Sequence, residues 1–122
     1  MLTGVSPQWL RDMFSRIAPR YDVTNSIISA GLDHLWRRRL ATRITRRAPQ
    51  SILDVACGTG GVLAQIARHC APTTHLVGVD FTEAMLRVGR KRLASRAQAH
   101  RPALCVGDAQ RLPHPDASVE AV

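Results

Sequence analysis

The residues of this chain best suited to chemistry are three aspartates and a glycine-bearing loop. Asp54 stands four residues before Gly58, ahead of the loop Cys57-Gly58-Thr59-Gly60-Gly61, and Asp80 and Asp108 close two later apolar runs. Gly58 and Gly60 allow a ligand to approach the backbone closely, and a helix beginning there offers free N–H groups. Any nucleotide-like ligand can use such a turn. A dinucleotide loop wants a third glycine, for tight helix packing beneath a pyrophosphate, where this chain has Leu63. A Walker-type phosphate loop wants a Lys after the glycines, and none follows. Asp54 is unhelpful beside a pyrophosphate but suits a ligand carrying a cationic amine and a sulfonium. Asp80 is placed to accept two hydrogen bonds from ribose hydroxyls, as acids at that position do in Rossmann folds. Asp108 is placed to meet an adenine amino group. Together they predict a neutral-to-cationic adenosine ligand without phosphate, a description that S-adenosylmethionine (SAM) meets and NAD and ATP do not. Each acid also has a plainer reading. Asp54 can cap the glycine loop, Asp80 can N-cap the next helix, and Asp108 can be a turn residue.

Elements must bring these side chains to one place. Residues 51–56 form a short, mostly apolar run suited to a buried parallel strand. After the glycine loop, 62–70 reads as a helix with Val62, Leu63, Ile66 and Ala67 inward, and 76–80 as a second strand. Thr82 is expected to cap a helix running through Met85, Leu86, Val88 and Leu93; 103–106 is a third strand, and 118–122 looks like the beginning of a fourth. Strands alternating with helices at this spacing imply an α/β fold with a parallel sheet.

The first 49 residues read as a helical segment preceding that unit. Ser6 is a candidate N-cap with Pro7 at the first helical position, and Trp9, Leu10, Met13, Phe14 and Ile17 make an apolar stripe that stops at Pro19. A short helix at 24–30 is expected to end at Gly31. Asp33 is expected to cap a third helix, with Leu35, Trp36, Leu40 and Ile44 on one side and Arg37, Arg38, Arg43, Arg46 and Arg47 on the other, until Pro49.

Composition narrows the classes. The 122 residues are 45% hydrophobic and carry a net charge of +8, most of it in the first 50 residues, where nine Arg oppose three Asp. Such a balance fits nucleic acid, an anionic membrane surface or acidic substrates. The basic residues are all Arg except Lys91, and no aromatic residues interleave with them for base stacking, so nucleic acid is not expected. Cys57, Cys70 and Cys105 form no CxxC pair and are read as reduced thiols, with no disulfide framework and no metal site. No apolar run approaches the roughly 20 residues that cross a bilayer, and the opening residues lack the layout of a secretory signal. A cytoplasmic protein is expected.

At this point the motifs resemble a family. Leu53-Asp54-Val55-Ala56-Cys57-Gly58-Thr59-Gly60 resembles the first motif of class I SAM-dependent methyltransferases; Val79-Asp80-Phe81-Thr82-Glu83-Ala84-Met85-Leu86 resembles the second, and Gly107-Asp108-Ala109-Gln110-Arg111-Leu112-Pro113 the third. The segment from Met13 to Leu32 is similar to the signature of the ubiquinone and menaquinone biosynthesis C-methyltransferases, Tyr-Asp-x-Met-Asn followed by Ser, His and Trp. Tyr21, Asp22, Asn25, Ser29 and Trp36 match; Thr24 stands where Met is usual, and Asp33 where His is usual, with His34 one place later.

The resemblance implies a Rossmann-like SAM-dependent methyltransferase fold, of which this chain is the N-terminal part up to the start of the fourth strand: a helical segment at 1–49 and an incomplete SAM-binding βαβ portion at 50–122. It implies SAM contacts from Thr59, Asp80, Asp108 and Ala109, completing a candidate set with Asp54, Gly58 and Gly60. It also implies a lipophilic quinol acceptor, either demethylmenaquinol or the benzoquinol of the ubiquinol pathway. The basic, amphipathic N-terminal helices would then help the protein reach that substrate at the inner face of the membrane; the alternative is that Trp9, Phe14 and Trp36 only pack those helices onto the sheet. Asp22 and His34 are the candidate general bases for deprotonating a quinol hydroxyl, and Asp22 can instead cap a helix. The competing readings are another small-molecule SAM methyltransferase and a non-catalytic remnant of the fold. With the rest of the sheet and the substrate cap missing, the 122 residues alone are not expected to turn over.

Overall fold

The computed structural model describes residues 4–94 and 101–122. Five helices, α1 (Pro7–Ile17), α2 (Tyr21–Ile28), α3 (Leu32–Thr45), α4 (Gly61–His69) and α5 (Glu83–Ala94), accompany three strands, β1 (Ser51–Val55), β2 (His75–Asp80) and β3 (Ala103–Val106). The strands form one parallel sheet in the order β1-β2-β3, with Ser51 opposite His75 and Val77 opposite Ala103. The free edge of β1 is taken up by the segment expected to begin a fourth strand. Ile52 bridges Ala121 in parallel, Leu53 N–H donates to Ala121 O (2.9 Å) and Ala121 N–H to Ser51 O (3.1 Å). β1 and β2 are therefore interior strands, which is why their sequences are nearly continuous apolar runs.

The core lies where α3, α4 and α5 meet the sheet: Ala41, Ile52, Leu63, Ile66, Leu76 and Leu86 are all buried within one cluster. At the middle of β2 a Cβ on Gly78 would stand 2.5 Å from Leu63 Cδ1 and 2.8 Å from both Cys57 Sγ and Leu104 Cδ2. Close packing of α4 and the glycine loop on the sheet depends on that missing side chain.

The N-terminal segment starts as expected, with Ser6 Oγ accepting from Trp9 N–H (3.1 Å) and Pro7 in the first turn. Phe14 meets Phe81 edge to face at 6.1 Å, joining α1 to the loop before α5. Three local readings change. A 3-10 turn at Ala18–Arg20 passes directly into α2, which begins at Tyr21 rather than near residue 24, so Asp22 lies within the first turn and is not a cap. α2 ends at Ile28 with Ser29 as its C-cap, short of the expected Gly31, which at φ +81° is instead the N-cap of α3 in place of Asp33. Asp33 instead accepts from Ser29 Oγ (3.0 Å).

The third change is the face that α3 buries. Ala41 is fully buried against the core, Leu40 and Ile44 are half-buried, and Arg37 turns inward with its side chain 15% exposed, whereas Leu35 and Trp36 point to solvent at 45% and 63%. Trp36 is thus not one of the residues that pack the N-terminal helices. The rotation follows from charge pairing: Arg37 finds Asp22 at 3.5 Å and Asp33 at 3.9 Å, and the small Ala41 lets α3 lie close to α4. No helix among the described residues is long and apolar enough to cross a membrane.

Candidate methyl-donor site

The glycine loop leaves β1 through a left-handed residue, Ala56 at φ +58°, followed by Gly58 at +56° and Gly60 at +74°. The first of these is costly for a residue with a side chain, on the order of 1 kcal/mol, and such strain gathers at functional loops. A Cβ at Gly58 would meet nothing within 4 Å, so that glycine borders open space. The loop is pinned to the neighbouring strand by Cys57 N–H donating to Val79 O (3.0 Å).

Asp80 does more than line this edge. Buried at 6% exposure, its Oδ2 accepts from Gly58 N–H (2.9 Å) and its Oδ1 from Thr82 N–H (2.8 Å). One carboxylate therefore holds the glycine loop and the start of α5 in register. Each oxygen keeps a further lone pair for a donor from a ligand. Thr82, expected to cap α5 with its hydroxyl, does not: its Oγ1 is buried without a hydrogen-bond partner among the described residues.

Asp54 has no such support. Its carboxylate makes no hydrogen bond or ion pair among the described residues, and burial, reinforced by the negative charge of Asp80, pushes its pKa up to about 6. Two neighbouring carboxylates with no paired cation among the described residues make a site that favours positive charge and resists phosphate. The same surroundings act on the thiol of Cys57. Burial first, then Asp54 and Asp80, push it up to about 12, so it stays protonated.

Asp108 reaches the same edge, because Gly107 N–H donates to Asp80 O (2.9 Å). Its Oδ1 accepts from Gln110 N–H (2.9 Å) in an Asx turn, and Asp108 and Ala109 are exposed. The plain turn is present, and it leaves the Asp108 side chain open to solvent.

Thr59 and Asp22 are brought together by the fold, and sequence reasoning missed the pairing. Thr59 is 2% exposed, and its Oγ1 donates to Asp22 Oδ2 (2.8 Å). Asp22 also pairs with Arg37 at 3.5 Å and, more tightly, with Arg92 of α5. Neither arginine carried a local signal; Arg92 sits in a basic stretch that reads as a solvated face. His34, the other candidate base, has a side chain 62% exposed, with Nε2 2.9 Å from Ser26 Oγ. Asp22 and His34 share a groove of about 390 Å³ with Val23, Ser26 and Ile27. Among the described residues no cluster of His, Cys, Asp or Glu is arranged to hold a metal.

A model of the ubiE/COQ5 methyltransferase family matches residues 2–122. The ubiquinone/menaquinone biosynthesis C-methyltransferase UbiE of Geobacter sulfurreducens is 42% identical over 113 residues, covering 93% of this chain and 44% of that protein. The demethylmenaquinone methyltransferase of Thermus thermophilus is 43% identical over 110 residues, 90% of this chain and 49% of that protein. The chain spans about half the length of the curated relatives it matches. Among solved structures, SAM-bound CalS10, an amino pentose methyltransferase from Micromonospora echinaspora, superposes with a TM-score of 0.51 at 31% identity, over 65% of this chain and 30% of that one.

Proposed function

From the premise that the chain belongs to the ubiE/COQ5 methyltransferase family, we propose that it forms the methyl-donor half of an enzyme that C-methylates a polyprenyl quinol precursor, with SAM as donor. The observation that carries this reading is the pair Asp54 and Asp80, two acids at adjacent strand ends with no cation paired to either among the described residues. SAM supplies a methyl group on a positively charged sulfonium, and its amino group is a second cation. Asp54 is the residue assigned to that amino group. Gly58 and Gly60 give the backbone approach, Asp80 offers its remaining lone pairs to the ribose, and Asp108 with Ala109 borders the adenine. Thr59, its hydroxyl engaged by Asp22, contributes to the site through the loop backbone.

The groove shared by Asp22, Val23, Ser26, Ile27 and His34 is assigned to the acceptor. It begins one hydrogen bond from the glycine loop, at the Asp22–Thr59 contact. Val23 and Ile27, exposed at 63% and 75%, offer the apolar contact a quinol ring needs. His34 keeps an exposed ring there, whereas both oxygens of Asp22 are occupied by cations and a hydroxyl, so His34 is the group assigned to accept the quinol proton. A lipophilic acceptor has to be drawn from a membrane, and the exposed Trp36 and Leu35 beside Arg38, Arg39, Arg43 and Arg46 support a peripheral contact with an anionic surface.

Calorimetric titration of the chain with SAM, S-adenosylhomocysteine and NAD tests the donor assignment. SAM and S-adenosylhomocysteine are expected to bind and NAD to give no heat; the reverse order would refute it. Because Asp54 must be ionised to face an ammonium, SAM affinity is expected to rise as pH increases through about 6 and then level off.

A further inference from the structure

Asp22 was offered by the sequence as a base, but the structure gives it a different position. Three donors from three other segments converge on its carboxylate: Thr59 Oγ1 from the glycine loop at 2.8 Å, Arg37 from α3 at 3.5 Å, and Arg92 from α5. The three charged side chains are only 15–20% exposed, so solvent screens the pairs weakly. Arg37 in turn fits because the first residue of α4 is a glycine. A Cβ on Gly61 would lie 2.7 Å from Arg37 Cζ, in the space the guanidinium fills. Arg92 also donates to Thr59 Oγ1 at 3.4 Å, closing the cluster.

The loop is thereby suspended between two carboxylates. Asp80 holds Gly58 from the sheet side, and Asp22 holds Thr59 from the helical side. Thr59 is flanked by two left-handed glycines, Gly58 and Gly60, which by themselves define no single loop conformation. A base must meet its proton unobstructed, whereas two arginines and the Thr59 hydroxyl already compete for the Asp22 carboxylate. We propose that Asp22 is a positioning residue for methyl-donor binding, tying the glycine loop through Thr59 to α2 and α3 so that the donor loop and the acceptor groove are held as one unit. This rests on SAM being the donor, as argued above.

The test uses Asp22→Asn, Thr59→Val, Thr59→Ser and the Asp22→Asn/Thr59→Val double variant of the whole chain, with two readouts. In SAM titrations each of the first two is expected to weaken binding about tenfold or more, the double variant no further than the worse single, and Thr59→Ser to restore most of the loss. In hydrogen exchange without ligand, the amides of Gly60 and Ala64, which donate to Cys57 O and Gly60 O, are expected to exchange faster in Asp22→Asn and Thr59→Val, with β2 amides unchanged. Losses that multiply in the double variant, or SAM affinity in Asp22→Asn within about twofold of the parent, would overturn the proposal. Should Asp22→Asn fail to fold, the Thr59→Val and Thr59→Ser pair decides by the same criteria. Should the parent chain itself not bind SAM, the donor reading falls, and unchanged loop exchange would still overturn the tie on its own.

Discussion

At the scale of single residues, the decisive fact is that Asp54 carries its charge at a cost. Its pKa is raised in the folded chain from the usual 3.8 to about 6, so between those values the folded state binds more protons than the unfolded one. Stability from this group is therefore fullest below about pH 4 and declines as pH rises through 6, the opposite of a salt-bridged carboxylate. Asp54→Asn is expected to make the ligand-free chain more stable at pH 7.5, by about 1–2 kcal/mol after allowance for solvent screening. It should also flatten the decline in stability between pH 4 and 7 and remove the pH dependence of SAM binding. Urea denaturation across that range reads the first two effects and calorimetry the third. No stability gain at pH 7.5 would mean that Asp54 is not electrostatically burdened. Such a trade of stability for ligand affinity is expected where a site must hold charge before its ligand arrives.

At the scale of elements, the strand–loop–helix unit was legible because buried parallel strands read as unbroken apolar runs and end on polar residues. Ile52, Leu53 and the run from Leu76 to Val79 sit where they were expected, and even the few residues around Ala121 fall beside β1. The face of α3 was not legible. Period alone grouped Trp36 with Leu40, but the orientation is set by partners far along the chain: Asp22, fifteen positions before Arg37, and Gly61, twenty-four after it. Local pattern likewise gave no sign that Thr59 would bond a residue thirty-seven positions away. The site was half readable for the same reason. Its acids follow from strand ends, while the cluster that braces the loop follows from tertiary contacts. Gly78 shows how tightly the elements fit. Gly78→Ala places a methyl 2.5–2.8 Å from Leu63, Cys57 and Leu104, which should cost about 1–3 kcal/mol. Thermal melting checks this, and a variant as stable as the parent would show that α4 can shift outward freely.

At the scale of the whole molecule, the glycine loop leaves β1 of the parallel sheet, and the groove lined by Asp22, Val23, Ser26, Ile27 and His34 on the N-terminal helices begins one hydrogen bond away from it. The family relatives are about twice as long, yet the parts assigned to the donor lie within this chain. Cys57 adds a practical consequence. It is buried at the root of the glycine loop, and its thiol is held neutral with a pKa of about 12. Alkylating reagents attack thiolate, so modification must wait until the loop lifts away from Asp54 and Asp80. The rate at which iodoacetamide marks this one sulfur, followed by peptide mass, should therefore fall as SAM is added and rise in Thr59→Val. An unremarkable cysteine thus becomes a built-in stopwatch, timing how often the closed loop lets go.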